Sequence, residues 1–137
     1  MMEVYLNYKA ERVGVSVEKD GDVLFSEFKS SNVSRKEFDK LEMLRRGLTF
    51  IKLRGFRGDV KIILNGRNLT KWVTGQIVPP DKYLGSVFGV RFVLRNLMAR
   101  YKFEQRSTVH VGCLGEGEEE SDSLLGLLEK MERMARV

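Results

Sequence analysis

An amide stands at a position of the sequence where function is expected. Residues 60–64 form a short apolar run that predicts a buried strand, and Asn65-Gly66 ends it. Asn68 is then the predicted N-cap of a short helix that contains Trp72. In open α/β sheets, ligands bind at the edge where strands end and helices begin. Asn65 therefore lies at an expected binding edge, with a neutral amide rather than a carboxylate.

Three further polar side chains are predicted to reach the same edge. Asn7 lies on the first strand, Glu42 on the first long helix and Asp122 at the start of the last helix. Consecutive elements pack as neighbours, so a central first strand brings these positions together. Carboxylates are the hard oxygen ligands that Mg²⁺ prefers. Of the four positions, only Glu42 and Asp122 carry carboxylates.

The apolar pattern predicts the order β-β-β-α-β-α-α-β-α. Alternating segments indicate strands, and apolar stripes at helical spacing indicate helices. The predicted strands are 4–8, 12–18, 23–28, 60–64 and 107–112. The predicted helices are 34–51, 68–73, 81–101 and 121–135. A capping box of Ser34 and Glu37 opens the first helix, Asp81 caps the third, and Gly21 supplies the positive φ of a hairpin turn.

Charge is unevenly distributed along the 137 residues, which we expect to form one domain, 1–137. The net charge is +5, but residues 1–115 hold 21 basic and 12 acidic residues, a balance of +9. Residues 116–137 hold 7 acidic and 3 basic residues, a balance of −4. A basic body favours nucleic acid or another polyanion as the partner.

The single cysteine, Cys113, excludes an intramolecular disulfide and a zinc site made of several cysteines. The first residues lack the apolar run of a secretory signal, and no apolar run reaches the roughly 20 residues of a transmembrane helix. We therefore expect a soluble cytoplasmic protein without a membrane partner.

The element order and the four edge positions resemble the type I ribonuclease H family of the ribonuclease-H-like superfamily. Leu64-Asn65-Gly66 with Trp72-Val73 stands where that family has Asp-Ser and a short helix. Asp122-Ser123-Leu124-Leu125 stands where it has Asp, any residue and Leu-Ala. The resemblance covers nearly the whole chain. It implies an α/β fold with a mixed five-stranded sheet, the first three strands antiparallel, and helices on both faces.

The resemblance also implies what the four edge positions would do. The family carries Asp on the first strand, Glu on the first helix, Asp after the fourth strand and Asp at the last helix. These carboxylates hold two magnesium ions that cleave a phosphodiester. Here Asn7 and Asn65 replace two of them, and Glu42 and Asp122 are the remnants. The resemblance therefore implies a degenerate catalytic site, with no cofactor expected, and Mg²⁺ or Mn²⁺ only if the protein is active.

The leading hypothesis is a catalytically impaired domain that binds nucleic acid, as RNA–DNA hybrid or duplex, or a partner protein. Basic residues near the edge and in the loop beneath it would contact phosphates, and two aromatic residues would stack. These predicted contact residues are Arg67, Lys71, Lys52, Arg54, Arg57, Tyr8 and Trp72.

Two alternatives compete with this hypothesis. One is an active metal-dependent ribonuclease H that cleaves the RNA strand of hybrids with Glu42, Asp122 and an acid from residues 116–120. The other is a structural or oligomerisation module of a nucleic-acid-processing assembly, with a protein partner or as a homodimer. An Asp→Asn change made to trap a substrate would leave the same signature at Asn7 and Asn65. His110 lies inside the predicted last strand, where a lone histidine is more often structural than a proton carrier.

Overall fold

A five-stranded mixed sheet is the centre of the computed structural model, which describes residues 1–114. Its strands are β1 Met2–Lys9, β2 Arg12–Lys19, β3 Asp22–Ser30, β4 Asp59–Leu64 and β5 Arg100–Gln105. The strand order is β3-β2-β1-β4-β5. The first three strands are antiparallel, β4 is parallel to β1, and β5 is parallel to β4. The predicted α/β class with a mixed five-stranded sheet is confirmed.

Three helices accompany the sheet within the described residues: α1 Lys36–Arg54, α2 Arg67–Val73 and α3 Leu84–Arg95. Helix α1 packs on the first three strands, and α3 packs beside α1. The helix predicted at 121–135, on which the expectation of helices on both faces depended, lies outside the described residues. None of the described helices has the length and apolar character needed to cross a membrane.

Helix α1 approaches the sheet closely because Gly47 faces β2. A Cβ atom at Gly47 would lie 2.9 Å from a methyl group of Val15, with Val4 and Val17 next to it. The apolar stripe predicted for this helix is buried against these valines, and it includes Leu41, Leu44, Leu48 and Ile51. Because side chains alternate along a strand, the residues between those valines point to the second face of the sheet.

The prediction of a strand at 107–112 is wrong. This segment crosses the second face of the sheet and does not pair at the edge of the sheet. The Gly112 backbone N–H donates to Ser16 Oγ at 3.1 Å, and the Leu114 N–H donates to Ser26 Oγ at 2.7 Å. Val111 lies against Gly14 of β2, and Val109 is buried as well, so the alternating pattern reflects burial and not strand pairing. The backbone of this segment is therefore bonded to the hydroxyls of Ser16 and Ser26 and not to the backbone of a neighbouring strand.

The fifth strand comes from residues 100–105. Positions 100 and 101 were predicted as the end of a helix, and 102–105 were predicted as neither helix nor strand. Helix α3 ends at Arg95, where the Asn96 side chain donates to the Phe92 carbonyl at 2.7 Å. The chain then pairs with β4. Tyr101 was therefore assigned to the wrong element, because the alternation of six residues is weaker than the apolar stripe before it.

The predicted caps also differ from the observed ones. The Ser34–Glu37 capping box does not form, since Arg35 is the N-cap of α1 and makes no side-chain cap hydrogen bond. The side chain that bonds the turn before α1 is Asn32. Its Oδ1 accepts a hydrogen bond from the Arg35 N–H at 3.1 Å and another from Ser34 Oγ at 2.6 Å.

Helices α2 and α3 also begin at other residues than predicted. Gly66, not Asn68, is the N-cap of α2. Asp81 opens a short 3₁₀ turn, Asp81–Tyr83, and α3 follows it with Tyr83 as the N-cap.

The sheet has two edges that matter for function. Strands β1, β4 and β5 end together at Lys9, Leu64 and Gln105, and we call this the carboxyl edge. Helix α1 begins at this edge, where Ser31 contacts Asp39, and runs antiparallel to β3. Its last turn therefore lies at the opposite edge, which we call the amino edge.

Candidate nucleic-acid interface

The two amides predicted to share a site lie on neighbouring strands. Leu6 pairs with Leu64, so Asn7 and Asn65 follow at the same level of β1 and β4. Adjacent strands are about 4.8 Å apart. The fold thus places both amides at the carboxyl edge.

Both polar atoms of the Asn65 side-chain amide form hydrogen bonds. Its Nδ2 donates to the Ser107 carbonyl at 3.1 Å, and its Oδ1 accepts from Gln105 Nε2 at 3.0 Å. Gln105 also accepts from the Gly66 N–H at 2.8 Å. A carboxylate at position 65 could not donate to Ser107, and its charge would face that carbonyl oxygen. The local structure therefore fits an amide better than an aspartate.

A lysine of α1 occupies this edge, and sequence reasoning missed it. Lys40 is only 8% exposed, and its Nζ donates to the Asn65 carbonyl oxygen at 2.9 Å. Burial lowers the pKa of the Lys40 ammonium, and the nearby Glu37 carboxylate partly opposes this. Lysine is rarely buried, so its place among the apolar residues of α1 was the signal that could have revealed it.

Glu42 faces another part of the molecule. Its carboxylate lies 3.0 Å from Lys29 Nζ of β3 and 3.9 Å from the guanidinium of Arg46. Strands β3 and β4 are three spacings apart, roughly 14 Å. Positions 40 and 42 also differ by about 200° around a helix. The described structure therefore brings Lys40, and not Glu42, to Asn65.

A buried carboxylate completes the ion pairs between α1 and β3. Asp39 is 2% exposed, and it accepts from Ser31 Oγ at 2.6 Å and contacts Lys29 Nζ at 3.0 Å. Burial acts to raise the pKa of Asp39, but the bonds from Ser31 and Lys29 outweigh it and hold the pKa below its usual value. Hydrogen bonds to Glu42 and Asp39 raise the pKa of Lys29. We call Ser31, Lys29, Asp39, Glu42, Glu27 and Arg46 the β3 seam.

Asn7 lines a cleft on the second face of the sheet. The cleft has a volume of about 350 Å³, and the described residues that line it include Asn7, Lys9, Arg12, Phe28, Thr108 and His110. The Arg12 guanidinium lies 4.5 Å from the centre of the Phe28 ring. The lining residues within 1–114 include no carboxylate, so the charge of this cleft is positive.

A tight turn places the two cations of the cleft opposite each other. Lys9 pairs with Arg12 across the β1–β2 hairpin, and the two turn residues, Ala10 and Glu11, have φ values of 52° and 57°. Positive φ at both positions is typical of a type I′ turn, which normally selects glycine or asparagine. Because neither is present, the turn gave no sequence signal for Lys9 and Arg12 as a pair.

The predicted basic contact residues do not form one patch. Arg67 and Lys71 belong to α2, which starts at the carboxyl edge. Lys52 and Arg54 lie in the last turn of α1, and Arg57 lies in the loop before β4, at the amino edge. Lys52 and Arg54 therefore belong to the helix and not to the loop in which they were predicted. All three residues lie a sheet length away from Asn65.

The two predicted stacking residues are not equally accessible. Trp72 is 7% exposed and stacks on Tyr83 with ring centroids 5.2 Å apart. Its assignment as a nucleic-acid contact is therefore corrected, because the indole belongs to the core. Tyr8 packs partly against the core, and Lys36 Nζ lies 5.8 Å from its ring.

The described residues do not fit a pair of divalent cations. No group of three or more His, Cys, Asp or Glu side chains within 1–114 could hold a metal ion. At the carboxyl edge, the buried Lys40 ammonium lies against the Asn65 carbonyl, and an ammonium repels a cation. Asp122 and the acids of 116–120, which were predicted as metal ligands, lie outside the described residues.

Comparison with known proteins supports the fold. No family model and no curated protein matches the chain. Ribonuclease H1 of Halobacterium salinarum is similar in structure with a TM-score of 0.57 and 15% identity, over 77% of this chain and 85% of that one. The N-terminal ribonuclease H domain of a Mycobacterium tuberculosis protein, solved as a fusion with maltose-binding protein, gives a TM-score of 0.61 and 11% identity, over 77% and 83%.

A third structure, LC11 ribonuclease H1 in complex with RNA/DNA hybrid, has a TM-score of 0.56 and 13% identity, over 77% and 84% of the two chains. Identities this low carry information on the fold alone. The chain has a ribonuclease-H-like fold, with amides and a buried lysine at the carboxyl edge of its sheet.

Proposed function

We propose that this protein is a catalytically impaired ribonuclease-H-like domain that binds nucleic acid, as RNA–DNA hybrid or duplex, at the carboxyl edge. The observation that carries this proposal is the buried Lys40 ammonium 2.9 Å from the Asn65 carbonyl. A fixed positive charge at this edge disfavours a dication and favours the anionic phosphate backbone.

The surroundings of Lys40 support an anionic ligand. Four further cations lie at or near the same edge, and none of them forms an ion pair within residues 1–114: Lys9, Arg12, Arg67 and Lys71. Phosphate contacts from such residues give affinity that falls with salt and depends little on sequence. The hybrid complex of LC11 ribonuclease H1 shows that this fold accommodates such a ligand.

The two competing functions receive less support. An active nuclease needs Glu42, which is held by Lys29 in the β3 seam, and it would use Mg²⁺ or Mn²⁺. A structural module, with a protein partner or a second copy, needs no unpaired cations at the carboxyl edge. We expect no metal cofactor in the binding function.

Binding of a labelled RNA–DNA hybrid, followed by fluorescence anisotropy over a range of salt concentrations, tests the proposal. We expect affinity to fall steeply as salt rises. The double variant Lys9→Gln/Arg12→Gln should lower the slope of log affinity against log salt by up to about two. Lys102→Gln on β5 is the matched control for loss of a surface charge. No binding at low salt, or affinity insensitive to salt, contradicts the proposal.

A further inference from the structure

Helix α3 presents two phenylalanines on the side that points away from the core. Phe88 is 54% exposed and Phe92 is 62% exposed, while Val87, Val90 and Leu94 of the same helix are buried. A phenylalanine that is buried removes a large apolar area from water, so two exposed rings are a cost to a free domain. An i, i+4 spacing places their Cβ atoms about 5–6 Å apart on one face. The pair forms a continuous aromatic surface.

Cations flank these rings on both sides. On the side of α1, Lys52 Nζ lies 5.5 Å from the Phe92 ring centre, and Arg45 Cδ lies 3.3 Å from the Cβ position at Gly89. On the other side, Arg91 packs near Gly75, and Arg95 follows one helical turn after Arg91. We call Phe88, Phe92, Arg45, Lys52, Arg91 and Arg95 the α3 face.

The charge of the α3 face is uncompensated in the described structure. Helix α3 contains no Asp or Glu, and α1 contains none after Glu42. Within residues 1–114, no ion pair includes any of the four cations of this face. A second copy of the chain docked here through the same face would oppose like charges. The occupant is therefore an anion that also offers flat apolar groups.

We infer that the α3 face binds single-stranded nucleic acid, with bases on Phe88 and Phe92 and phosphates on the flanking cations. Aromatic rings beside a basic track are the pattern of sequence-tolerant single-strand binding. A duplex keeps its base faces inside the stack, so it cannot use the rings. An acidic protein segment could meet the cations but offers no regular row of ring faces. The α3 face shares no residue with the carboxyl edge, so this inference stands apart from the proposed function.

The test is anisotropy of a labelled oligothymidylate at low salt with the wild type and three variants of the full chain. In Phe88→Leu/Phe92→Leu, apolar area stays but the rings are lost, and we expect affinity to fall about tenfold or more. In Phe88→Trp/Phe92→Trp, stacking is retained, and the emission of the new indoles should be quenched on binding. Val78→Ser, at a connector position that is 85% exposed, is the control for loss of an exposed apolar side chain. Thermal melts confirm that each variant is folded.

Several outcomes would overturn the inference. One is wild-type protein that fails to bind the oligothymidylate, and another is a leucine variant that binds it as well as the wild type does. An oligoglutamate peptide that binds where the oligothymidylate does not would assign the face to an acidic protein. Displacement of the oligothymidylate by an equimolar unlabelled hybrid would place both ligands on one surface and contradict a separate site. Loss of hybrid binding alone would count against the carboxyl edge and leave the α3 face standing.

Discussion

The first turns of α1 direct side chains toward two regions that differ in charge. At the β3 seam, Asp39 and Glu42 meet Lys29, so each carboxylate has a cation beside it. At the carboxyl edge, Lys40 meets a backbone carbonyl and the amide residue Asn65. Three nearby positions of one helix thus provide a neutralised seam and a positively charged edge.

The difference shows which carboxylates of α1 are already paired with cations inside the fold. Two carboxylates of α1, Asp39 and Glu42, are paired with Lys29 of β3. Asp39 in particular is buried and fully committed to Ser31 and Lys29. The carboxyl edge has the Lys40 ammonium beside Asn65 instead. In the described structure, Asp39 and Glu42 are thus used within the fold, whereas Lys9, Arg12, Arg67 and Lys71 form no ion pair.

The largest expected effect comes from reversing the charge of the edge. In Asn7→Asp/Asn65→Asp, we expect little Mn²⁺ binding, because the Lys40 ammonium remains. Adding Lys40→Glu should strengthen Mn²⁺ binding, measured by calorimetry, at least about tenfold over the double variant. Lys40→Met on the same background should fall between the two. Equal affinity in the double and triple variants would show that Lys40 does not control the site.

The next effect is on stability at the β3 seam. Asp39→Ala removes a buried carboxylate and leaves Ser31 and Lys29 without their partner. Hydrogen bonds to a charged group are worth about 1.5–3 kcal/mol, so we expect a loss of about 3 kcal/mol in the free energy of unfolding. Urea melts measure it. Affinity for hybrid, corrected for folded fraction, should not change, and a parallel loss of affinity would mean that the two regions are coupled.

The same seam sets how stability depends on acid. The pKa of Asp39 is lowered in the folded protein, so the unfolded chain binds more protons between the two pKa values, and stability rises with pH there. This contribution is complete above the unfolded value of about 3.9 and is lost as pH falls through the folded pKa. Thermal melts of Asp39→Asn should therefore depend less on pH below about 4 than wild-type melts do. Identical pH profiles would remove Asp39 as the cause.

The smallest effect is expected at Glu42. Its carboxylate is partly exposed, and its bonds to Lys29 and Arg46 are of the kind worth about 1 kcal/mol or less. Glu42→Gln should lower the melting temperature slightly and leave hybrid binding unchanged. A hybrid-cleaving activity that Glu42→Gln abolishes would restore Glu42 as a catalytic residue.

Local patterns were sufficient for most of the sheet but not for its last strand. The valine alternation of β2 and the β-branched run of β4 predicted both strands, because their burial is regular. Residues 100–105 were not predicted as a strand because they contain few apolar positions. Residues 107–112 were wrongly predicted as a strand because a segment that covers a sheet face can also alternate apolar and polar side chains. Only the pairing of β4 with β5 and the hydroxyl contacts of Ser16 and Ser26 distinguish the two.

The candidate site was predictable in position but not in its charge. Strand order and chain direction were enough to bring Asn7 and Asn65 together. The direction of a helix side chain depends on the phase of the helix over the sheet, which Gly47 and its valine neighbours set. That phase places Lys40 over β4 and Glu42 over β3, and a sequence pattern alone does not contain it. The exposed rings of α3 were likewise hidden within a helix that reads as apolar.

Incubation of labelled RNA–DNA hybrid with the wild-type protein, in Mg²⁺ and in EDTA, tests the central claim most directly. Anisotropy gives the affinity, and a denaturing gel shows the state of the RNA strand in the same samples. We predict the same affinity in both buffers, at matched ionic strength, and an intact RNA strand throughout. An RNA strand that is cleaved in Mg²⁺, protected in EDTA and protected with Glu42→Gln would contradict the account.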